Sequence, residues 1–592
     1  MHELIRPYAD LPLVAIDTEN TGLDWWDNSF KVGGYSLYAP SVGSVYVPVR
    51  HETMFDTNYD AREIVDSLAA CAPKTWIVHN RNYDENAIAS DGLVLPGKLV
   101  DTMPLWWSVD AGLPSFALKR LGVLVDKTAA VEELRLEDFI RKNKLKRYTQ
   151  VPVSVMAPYA EQDARLTYLL WELGIRHLPA AHKEIHEKEQ AWGTLLSRMA
   201  AQGLPVDADL CTEQIDSNLA EAHKLRIFLA KATGMRGLNP GSPQQVQRLA
   251  GKYGVRLDAT DMDSLWASDL PKEIKSGIVR YRQCIHDVGS YLEPFVRIAR
   301  NARDGRVHST FRTTTFTGRV ATGQPINLQG LPRAGSSAAH GVRNTVRYKG
   351  GGRAIGFADY AQEDVRVGAH YSRDPRLTEV LRDPAGDVHT MAMNMVHALG
   401  IPISRSDTKR LVFGSQFDIG PEKFAADVSG LDDEGNYRRV TPAEAAIWLR
   451  AYRKQFPAAQ HVSREVQRVM DTRGYILTWD GRMIRVPPNG NSFSSFAWLV
   501  QASSAQVIKT AMLQADDWMR KEGYKSEFCL QVHDEVVLDS YEDEVEPAMQ
   551  GIAHIMATVW PGLRVPLFVQ PEVGNPSWAE KKKIGVLEPQ GG

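Results

Sequence analysis

Short apolar runs alternate with longer segments of helical spacing over roughly the first 180 residues. Runs of four to eight apolar residues are typical of buried strands, and apolar residues at intervals of three and four are typical of amphipathic helices. Strands that alternate with helices predict an α/β domain. The strand candidates are LPLVAI at 11–16, two stretches between Val32 and Val49 that Gly33 and Gly34 punctuate, and Thr75 to Val78; the helix candidate is Met156 to Leu173.

The pattern becomes mostly helical from Lys183 to Ile298, with LNPGSP as a break between helices. After Arg306 it is mixed again. The segment AIGFAD is predicted as a strand, a helix should begin near Gln362, and helices should continue through the 370s to 480s. Near the C-terminus, FCLQVHDEVVLDS is predicted as a tight β-hairpin with acidic residues at its turn.

Length and composition limit the class of protein without naming a function. The chain has 592 residues, more than one hydrophobic core supports, so several domains are expected. Its net charge of −3 gives no sign of a polyanionic partner, although a local basic groove is compatible with that total. Four widely spaced cysteines show no zinc or disulfide framework. No signal peptide or membrane span is evident, so a cytoplasmic location is expected.

A first group of carboxylates is predicted in the N-terminal domain. Asp17 and Glu19 form the pattern D-x-E at the end of the first strand, where alternate residues share a face. Asp84 follows the strand at Thr75, and Tyr159 precedes Asp163 by one helical turn. Four carboxylates can bind two hard cations about 4 Å apart and generate a hydroxide nucleophile. The alternative is a set of acids that merely decorates the sheet.

A second group of acids lies in the C-terminal half. Asp359 stands at the end of the strand AIGFAD, and His533, Asp534 and Glu535 occupy the turn of the predicted hairpin. If the hairpin pairs beside that strand, Asp359 and Asp534 face each other. Phosphoryl transfer needs mainly alignment and charge neutralisation, which two carboxylates holding two Mg²⁺ can supply.

A helix between these acids repeats a side chain of interest every four residues: Arg405, Lys409, Phe413 and Phe417. Each step drifts only about 40° around the helix, so the four form one slanting stripe. Its cations can meet phosphates, and its aromatic rings can stack on a base. The alternative is an amphipathic core helix with exposed cations.

Three segments of the N-terminal domain resemble the exonuclease motifs of DnaQ-like, DEDDy-type proofreading domains. They are IDTENTGLD, HNRNYDENAIASDG with the following VDTM, and YAEQD, and the resemblance covers residues 11–175. It implies an active 3′→5′ exonuclease in which Asp17, Glu19, Asp84 and Asp163 bind metal and Tyr159 orients the attacking water.

The C-terminal segments, with TTFTGRVATGQPINLQGLP at 314–332, resemble motifs A, B and C of family A DNA polymerases, over residues 185–580. The resemblance implies a multidomain fold of α/β and α+β class, in which an RNase H-like exonuclease domain precedes a right-hand polymerase domain. The implied divisions are exonuclease at 1–180, thumb at 181–305, palm at 306–374 and 486–592, and fingers at 375–485.

The same resemblance implies roles for individual residues. Metal would be held by Asp359 and Asp534, with Tyr360 in the metal site and Glu535 assisting. The nucleotide would be contacted by Arg405, Lys409, Phe413, Phe417, His389, Gln362 and Asp364. The DNA would be contacted by Arg319, Asn327, Gln329, Arg482, Gln501 and His533. Two Mg²⁺ per active site are implied, with Mn²⁺ able to substitute.

Several positions depart from the family pattern. Ala361 stands where serine is usual, Glu363 where an apolar residue is usual, and Asp364 where glutamate is usual; Phe417 replaces tyrosine, Asp418 replaces glycine and Ala497 replaces a common asparagine. Because Asp359, Lys409 and Asp534 are present, altered selectivity is expected and not lost activity.

The expected partners are primer-template DNA and deoxynucleoside triphosphates, with no membrane. A monomer is expected, without a thioredoxin-type processivity insertion and without a flap-nuclease domain ahead of Asp17. This compact arrangement favours a phage replicative polymerase, working in a bacterial cell or a phage-infected host. The alternatives are a single-subunit RNA polymerase, a DNA-binding scaffold with an inactive polymerase hand, and a nuclease in which only residues 1–180 are active.

Overall fold

The computed structural model describes residues 1–592 except 54–55, 74, 333–338, 384–385, 402, 432–436, 488–489 and 586–592. Within the described ranges, no helix is long and apolar enough to cross a membrane. All four cysteines are buried with free thiols, as their scattered positions predict.

The N-terminal unit is a five-stranded sheet with helices on it. Its strands lie in the order β3-β2-β1-β4-β5, in which β1, β4 and β5 run parallel and β2 and β3 are antiparallel neighbours. The elements are β1 (Val14–Asn20), β2 (Val32–Ala39), β3 (Gly43–Pro48), α1 (Ala61–Ala70), β4 (Thr75–Val78), α2 (Arg81–Ser90), β5 (Lys98–Asp101), α3 (Thr102–Val109), α4 (Leu118–Gly122), α5 (Val131–Asn143) and α6 (Val153–His177). The α/β prediction is confirmed.

Two details of the predicted strands are wrong. The first strand does not end at Asp17, because β1 stays paired with β2 as far as Asn20. Gly33 and Gly34 do not separate strands, because both lie inside β2. A Cβ at Gly33 would meet Thr149 Cγ2 at 2.7 Å, so the glycine serves the close packing of β2 under the chain at Thr149.

A helical region follows, as predicted. Its helices are α7 (Lys183–Gln202), α8 (Ala208–Thr233), α9 (Pro243–Lys252), α10 (Met262–Ala267), α11 (Lys272–Asp287) and α12 (Glu293–Asn301), with a π-helical turn at Val288–Leu292 before α12. The outer helices α8 to α11 bury a small core of their own. The first helix, α7, instead packs on α2 and α3 of the N-terminal unit and on β13 (Glu527–Val532) of the C-terminal unit.

The C-terminal unit is built on a second five-stranded sheet of order β13-β14-β8-β15-β16. The first segment of this unit contains β6 (Phe311–Arg312), β7 (Ala321–Thr322), α13 (Ala339–Asn344), β8 (Arg353–Tyr360) and α14 (Glu363–Ser372). The later elements are α21 (Ser495–Glu522), β14 (Glu535–Tyr541), α22 (Val545–Thr558), β15 (Val569–Gly574) and β16 (Lys581–Lys583). The hairpin β13–β14 pairs beside β8, as predicted.

Between α14 and α21 the chain is mostly helical. The helices are α15 (Pro375–Arg382), α16 (Val388–His397), α17 (Arg405–Gln416), α18 (Pro421–Val428), α19 (Pro442–Gln455) and α20 (Pro457–Arg473). Two short strand pairs interrupt them, β9 (Gly430–Leu431) with β10 (Tyr437–Arg438) and β11 (Tyr475–Leu477) with β12 (Met483–Arg485). The expectation of helices throughout is therefore wrong at β9–β10 and at GYILTWDGR, which supplies β11 and the turn of the hairpin β11–β12.

One large hydrophobic cluster runs from the N-terminal sheet to the C-terminal sheet. It includes Val14 on β1, Trp192 on α7 and Phe357 on β8, each essentially inaccessible to solvent. The two units are therefore packed through α7 into a continuous interior, and side chains of one unit can bear directly on the other.

Two candidate active sites

The first candidate site lies where β1 faces α6. Asp17 and Glu19 project from the same face of β1, and Asp163 approaches them from α6. Carboxylate oxygens of these three residues lie within 4.8 Å of one another. Glu19 and Asp163 are each about 5% exposed. Buried oxygen ligands at this spacing are the donor set that hard divalent cations prefer.

Asp84 reaches the same region from the first turn of α2. The helix begins after Asn80, which has a left-handed φ of 74°. The carboxylate of Asp101 holds this start, because it accepts hydrogen bonds from the amides of Asn80 and Arg81 at 3.1 and 2.8 Å. The Oδ2 atom of Asp84 is buried and accepts no hydrogen bond. A buried carboxylate oxygen without a partner is costly unless a cation satisfies it.

The electrostatics of this site favour a bound cation. Burial raises the pKa of Asp17 to about 6, against the lowering effect of Lys119. Burial and the charge of Asp17 raise the pKa of Glu19 well above its usual range, and burial with Asp17 does the same for the pKa of Asp84. A divalent cation removes this penalty, because it binds the ionised carboxylates.

Lys119 is a member of this site that the sequence patterns did not single out. It lies on the short helix α4, forms an ion pair with Asp163, and stands 4.3 Å from the ring centre of Tyr159. Burial lowers its pKa to about 8. Tyr159 precedes Asp163 by one turn of α6, as predicted. The contact between Lys119 and Asp163 joins residues 44 apart in sequence, so no local motif carries it.

The second candidate site lies at the end of the C-terminal sheet. Asp359 on β8 stands in register with Glu535 on β14, and the amide of Tyr360 donates to the carbonyl of Asp534 at 3.3 Å. Burial, Asp534 and Glu535 together raise the pKa of Asp359 to about 8. Burial raises the pKa of Asp534 to about 6. The hairpin turn therefore brings Asp534 to Asp359, as predicted.

Two neighbours of this pair have other partners. The Tyr360 hydroxyl is turned into the core, where it donates to the carbonyl of Met556 at 2.8 Å, so only its main-chain carbonyl remains for a metal. Glu535 forms an ion pair with Lys581 on β16, the last strand of the described chain. The sequence patterns did not single out Lys581, whose partner lies 46 residues away.

A cavity of about 310 Å³ opens beside these acids. It is lined by six residues that the sequence predicted for the site, Arg319, Gln362, Asp364, Phe413, His533 and Asp534, and by Glu363 and Ser504 among others. Glu363 is 4% exposed and its Oε1 accepts no hydrogen bond. Burial and the nearby charge of Asp364 raise the pKa of Glu363 well above its usual range.

Asp364 is held by two partners across this cavity. Arg319 donates to its Oδ1 and Oδ2 at 2.9 and 2.8 Å. Ser504 on α21 donates to its Oδ1 at 2.6 Å. The sequence patterns did not single out Ser504, although it lies one helical turn beyond the predicted Gln501. Asp364 therefore orients Arg319 within the cavity.

The predicted stripe lies on one helix, since α17 spans Arg405–Gln416 and Phe417 caps its C-terminus. Arg405 and Lys409 are exposed at its first turns. Arg405 donates to Asp387 at 2.5 Å, and Asp387 also caps α16, which carries the predicted His389. The ring of His389 lies 6.1 Å from that of Phe413. The helix thus exposes two cations at its first turns and places the ring of Phe413 in the wall of the cavity.

Comparison with known proteins identifies the family. The family model described as DNA polymerase family A matches residues 209–580. The chain belongs to DNA polymerase family A. A second model, described as a 3′-5′ exonuclease, matches residues 1–173, the unit that holds the first carboxylate cluster.

Curated relatives agree with this membership. The chain is 27% identical to DNA polymerase I of Chloroflexus aurantiacus over 99% of its own length and 63% of that protein. It is 24% identical to DNA polymerase DpoZ of Salmonella phage PMBT28, covering 97% of this chain and 98% of that one. The chain thus spans somewhat under two thirds of the length of the bacterial relatives it matches.

A solved structure shares the fold. It is the polymerase domain of Pol1 from M. smegmatis in complex with a DNA primer-template and dNTP, with a TM-score of 0.76 and 21% identity over 98% of each chain. The fold of that domain therefore extends over both the N-terminal and the C-terminal units of this chain.

In this family A chain, three residues predicted at DNA make hydrogen bonds within the protein. Asn327 accepts from the amide of Gln329 at 3.1 Å, and Gln329 donates to the carbonyl of Gln531 at 3.0 Å. Arg482 is 2% exposed and donates to the carbonyl of Thr317 at 2.7 Å. These side chains brace the loop that carries Arg319.

Proposed function

We propose that the chain is a template-directed DNA polymerase that extends a primer 3′ end with deoxynucleotides and proofreads with a 3′→5′ exonuclease. The observation that carries this proposal is the pair of separate acidic sites. One combines Asp17, Glu19 and Asp163 in the exonuclease domain. The other places Asp534 in one cavity with Arg319 and Phe413. Binding of primer-template and dNTP by the structural neighbour supports the substrate assignment.

We assign the thumb to 181–305, the palm to 306–374 and 486–592, and the fingers to 375–485, after the exonuclease at 1–180. The palm assignment is supported by the second sheet, whose strands come from both flanking segments. The fingers assignment is supported by α17, which carries the cations Arg405 and Lys409. We infer a role in phage DNA replication inside an infected bacterial cell, because the phage relative is covered almost end to end.

At the polymerase site, Asp359 and Asp534 fit two Mg²⁺, and Mn²⁺ has the same preference for carboxylate ligands. Bound metal supplies activation of the primer hydroxyl and neutralisation of the triphosphate. The protein's part is alignment. Arg405 and Lys409 would pair with the phosphates, while Phe413 would pack against the nucleotide base and sugar.

At the exonuclease site, Asp17, Glu19, Asp84 and Asp163 fit the same kind of cation, which supplies a hydroxide for hydrolysis. Tyr159 would orient the attacking water, since it stands one helical turn from Asp163. The cation of Lys119 lies between Asp163 and the Tyr159 ring, where it offsets part of the acidic charge.

The test separates the two sites on one primed template. Asp534→Asn should abolish extension when deoxynucleotides are present, while degradation of single-stranded 3′ ends continues. Asp17→Ala with Glu19→Ala should do the reverse. Loss of one charged metal ligand removes a transition-state contact, so we expect a fall of at least about 100-fold in the affected activity.

Matched controls change exposed acids outside both sites. Asp543, in the turn after β14, is changed to Asn as the control for Asp534→Asn. Asp66, on the outer face of α1, is changed to Ala as the control for the alanine substitutions. Both should leave the two activities within about twofold. If either site substitution removed both activities from a folded protein, the assignment of two independent sites would be wrong. Preference for ribonucleotides over deoxynucleotides would instead identify an RNA polymerase.

A further inference from the structure

The loop that carries Arg319 is anchored on the exonuclease domain by Trp107. Trp107 lies on α3 and is 2% exposed. Its indole N–H donates to the carbonyl of Thr315 at 2.8 Å. Its ring lies 4.1 Å from the guanidinium carbon of Arg482, which donates to the carbonyls of Phe316 and Thr317. Three successive loop residues are thus held by Trp107 or by the cation stacked on it.

The next loop residue, Gly318, also contacts Trp107 and Arg482, and it immediately precedes Arg319. Gly318 has a φ of +80°, and a Cβ built there would lie 3.1 Å from Trp107 Cζ2 and 3.0 Å from an Arg482 nitrogen. The loop therefore packs directly on the indole and on Arg482 at this point. Arg319 then leaves the loop for the polymerase cavity, where its guanidinium meets Asp364.

The other side of the loop is fixed independently of the exonuclease domain. Gln329 donates to the carbonyl of Val320 at 3.2 Å and to that of Gln531 at 3.0 Å. Arg319 is thus suspended between an anchor in the polymerase unit and an anchor in the exonuclease unit. Displacement of a binding group by about 1 Å is enough to cost a large share of its contribution.

We propose that Trp107 is a positioning residue for Arg319, so that the exonuclease domain takes part in how the polymerase site examines the primer terminus. The inference rests on the proposed function. All correct base pairs present a hydrogen-bond acceptor in the minor groove, at purine N3 or pyrimidine O2. An arginine held in place can test for this acceptor regardless of sequence, and an arginine on a loosened loop cannot.

The experiment uses the full chain with Asp17→Ala and Glu19→Ala, which removes degradation of the primer. The primer ends in guanine or in 3-deazaguanine, which replaces the N3 acceptor by C–H. The measured quantity is kcat/KM for the next correct deoxynucleotide. The value on the guanine primer divided by the value on the 3-deazaguanine primer, here called the deaza ratio, reports the arginine contact. One such contact is worth about 1–3 kcal/mol, so the ratio should be roughly 5- to 150-fold.

Trp107→Phe keeps an aromatic ring for packing but removes the N–H that donates to Thr315. We expect kcat/KM on guanine to fall by about three- to tenfold, because Arg319 no longer holds its position. Extension from 3-deazaguanine lacks this contact already and should be unchanged, so the deaza ratio should fall by the same factor. The matched control is Trp106→Phe, which removes an indole bond to the carbonyl of Leu170 inside the exonuclease domain. Its deaza ratio should remain that of the parent.

Three results would overturn the proposal. An unchanged deaza ratio in Trp107→Phe would show that Trp107 does not position Arg319. An equal fall in Trp106→Phe would show a general loosening of the domain. A parent ratio near one, with normal extension, would remove Arg319 from the minor groove while leaving the proposed polymerase intact. Absence of extension in the parent would instead refute the proposed function.

Two further measurements test whether Trp107→Phe folds and whether it acts through Arg319. Trp107→Phe in the chain with an intact exonuclease site should still degrade single-stranded DNA, which shows that the domain folds. In an Arg319→Ala background, Trp107→Phe should leave the deaza ratio unchanged, because residues that act through one contact are not additive. A further fall in that background would contradict action through Arg319.

Discussion

Asp364 shows how one shortened side chain changes its neighbourhood. Both of its carboxylate oxygens accept from Arg319, and Ser504 donates to one of them. Ser504 on α21 therefore supplies a hydroxyl donor to the carboxylate of Asp364, which lies one methylene closer to the backbone than the carboxylate of a glutamate would.

We predict that the chain excludes ribonucleotides more weakly than glutamate-bearing relatives, and that Asp364→Glu restores exclusion. The longer side chain would fill space near the sugar, and one such contact shifts selectivity by about 1–3 kcal/mol, or roughly 5–150-fold. The measurement is the ratio of kcat/KM for deoxynucleotide over ribonucleotide in an exonuclease-deficient chain. Asp543→Glu is the control. If Asp364→Glu left this ratio unchanged, Asp364 would have no part in sugar selection.

The raised pKa values of Asp359 and Asp534 give the metal-free polymerase unit a pH dependence. Both carboxyls hold protons in the folded state at pH values where the unfolded chain has lost them, since their folded pKa values are about 8 and about 6. The folded state thus binds more protons than the unfolded state, and metal-free stability falls as pH rises through this interval. Metal ions reverse the effect, because they bind the ionised form.

We predict that stabilisation of the polymerase unit by Mg²⁺ increases between pH 6 and pH 8.5. The gain in melting temperature should be roughly twice as large at the higher pH, because fewer protons then compete for Asp359. The measurement is thermal unfolding with and without Mg²⁺ in the chain with Asp17→Ala and Glu19→Ala, and Asp359→Asn should flatten the trend. Equal gains at both pH values would contradict the assignment of Asp359 as a ligand.

At the scale of elements, periodicity located the strands and helices better than it located their ends. The sequence placed Asp17 at the end of β1, whereas pairing with β2 carries the strand on to Asn20. Glycine signalled a break at Gly33, where the fold needs close packing against Thr149. In both cases a tertiary neighbour decided the outcome, and local propensity carries no information about such neighbours.

The candidate sites were predictable to the extent that motifs are local. Asp17, Glu19, Asp359 and Asp534 lie at strands or turns that the sequence marks, and the structure brings each pair together. Lys119 and Lys581 were missed because their carboxylate partners are 44 and 46 residues away. Arg482 was predicted at DNA by resemblance, but its burial under Trp107 depends on a contact between domains that no single motif encodes.

Asp418 follows Phe417, the C-terminal cap of α17, and its backbone is left-handed with a φ of 54°. Such a φ favours glycine, and Arg453 holds the aspartate in place by pairing with it at 3.0 Å. We predict that Asp418→Gly is nearly neutral, since relief of strain offsets the lost ion pair, whereas Asp418→Ala destabilises by about 1–2 kcal/mol. Thermal unfolding would measure both, with Asp418→Asn as the control. An alanine variant as stable as the glycine variant would contradict the strain argument.

At the scale of the whole molecule, α7 joins the two units. Its face toward the exonuclease unit packs on α2 and α3, while Glu189 forms a buried ion pair with Lys509 on α21 at 2.7 Å. Removing one partner of a buried ion pair is strongly destabilising, because the other charge is then left buried without compensation. The order of the two units was predictable from the motifs, but this joint was not, because its charges are paired over 320 residues of sequence.

The central position of β8 in its sheet has a consequence for synthesis of the chain on the ribosome. Its two neighbours, β14 and β15, are translated about 175 and 210 residues later. At roughly 5–20 residues per second, β8 emerges on the order of ten seconds or more before either neighbour exists. The strands and helices of the N-terminal unit are complete by His177. A nascent chain can therefore assemble the proposed exonuclease site long before the proposed polymerase site.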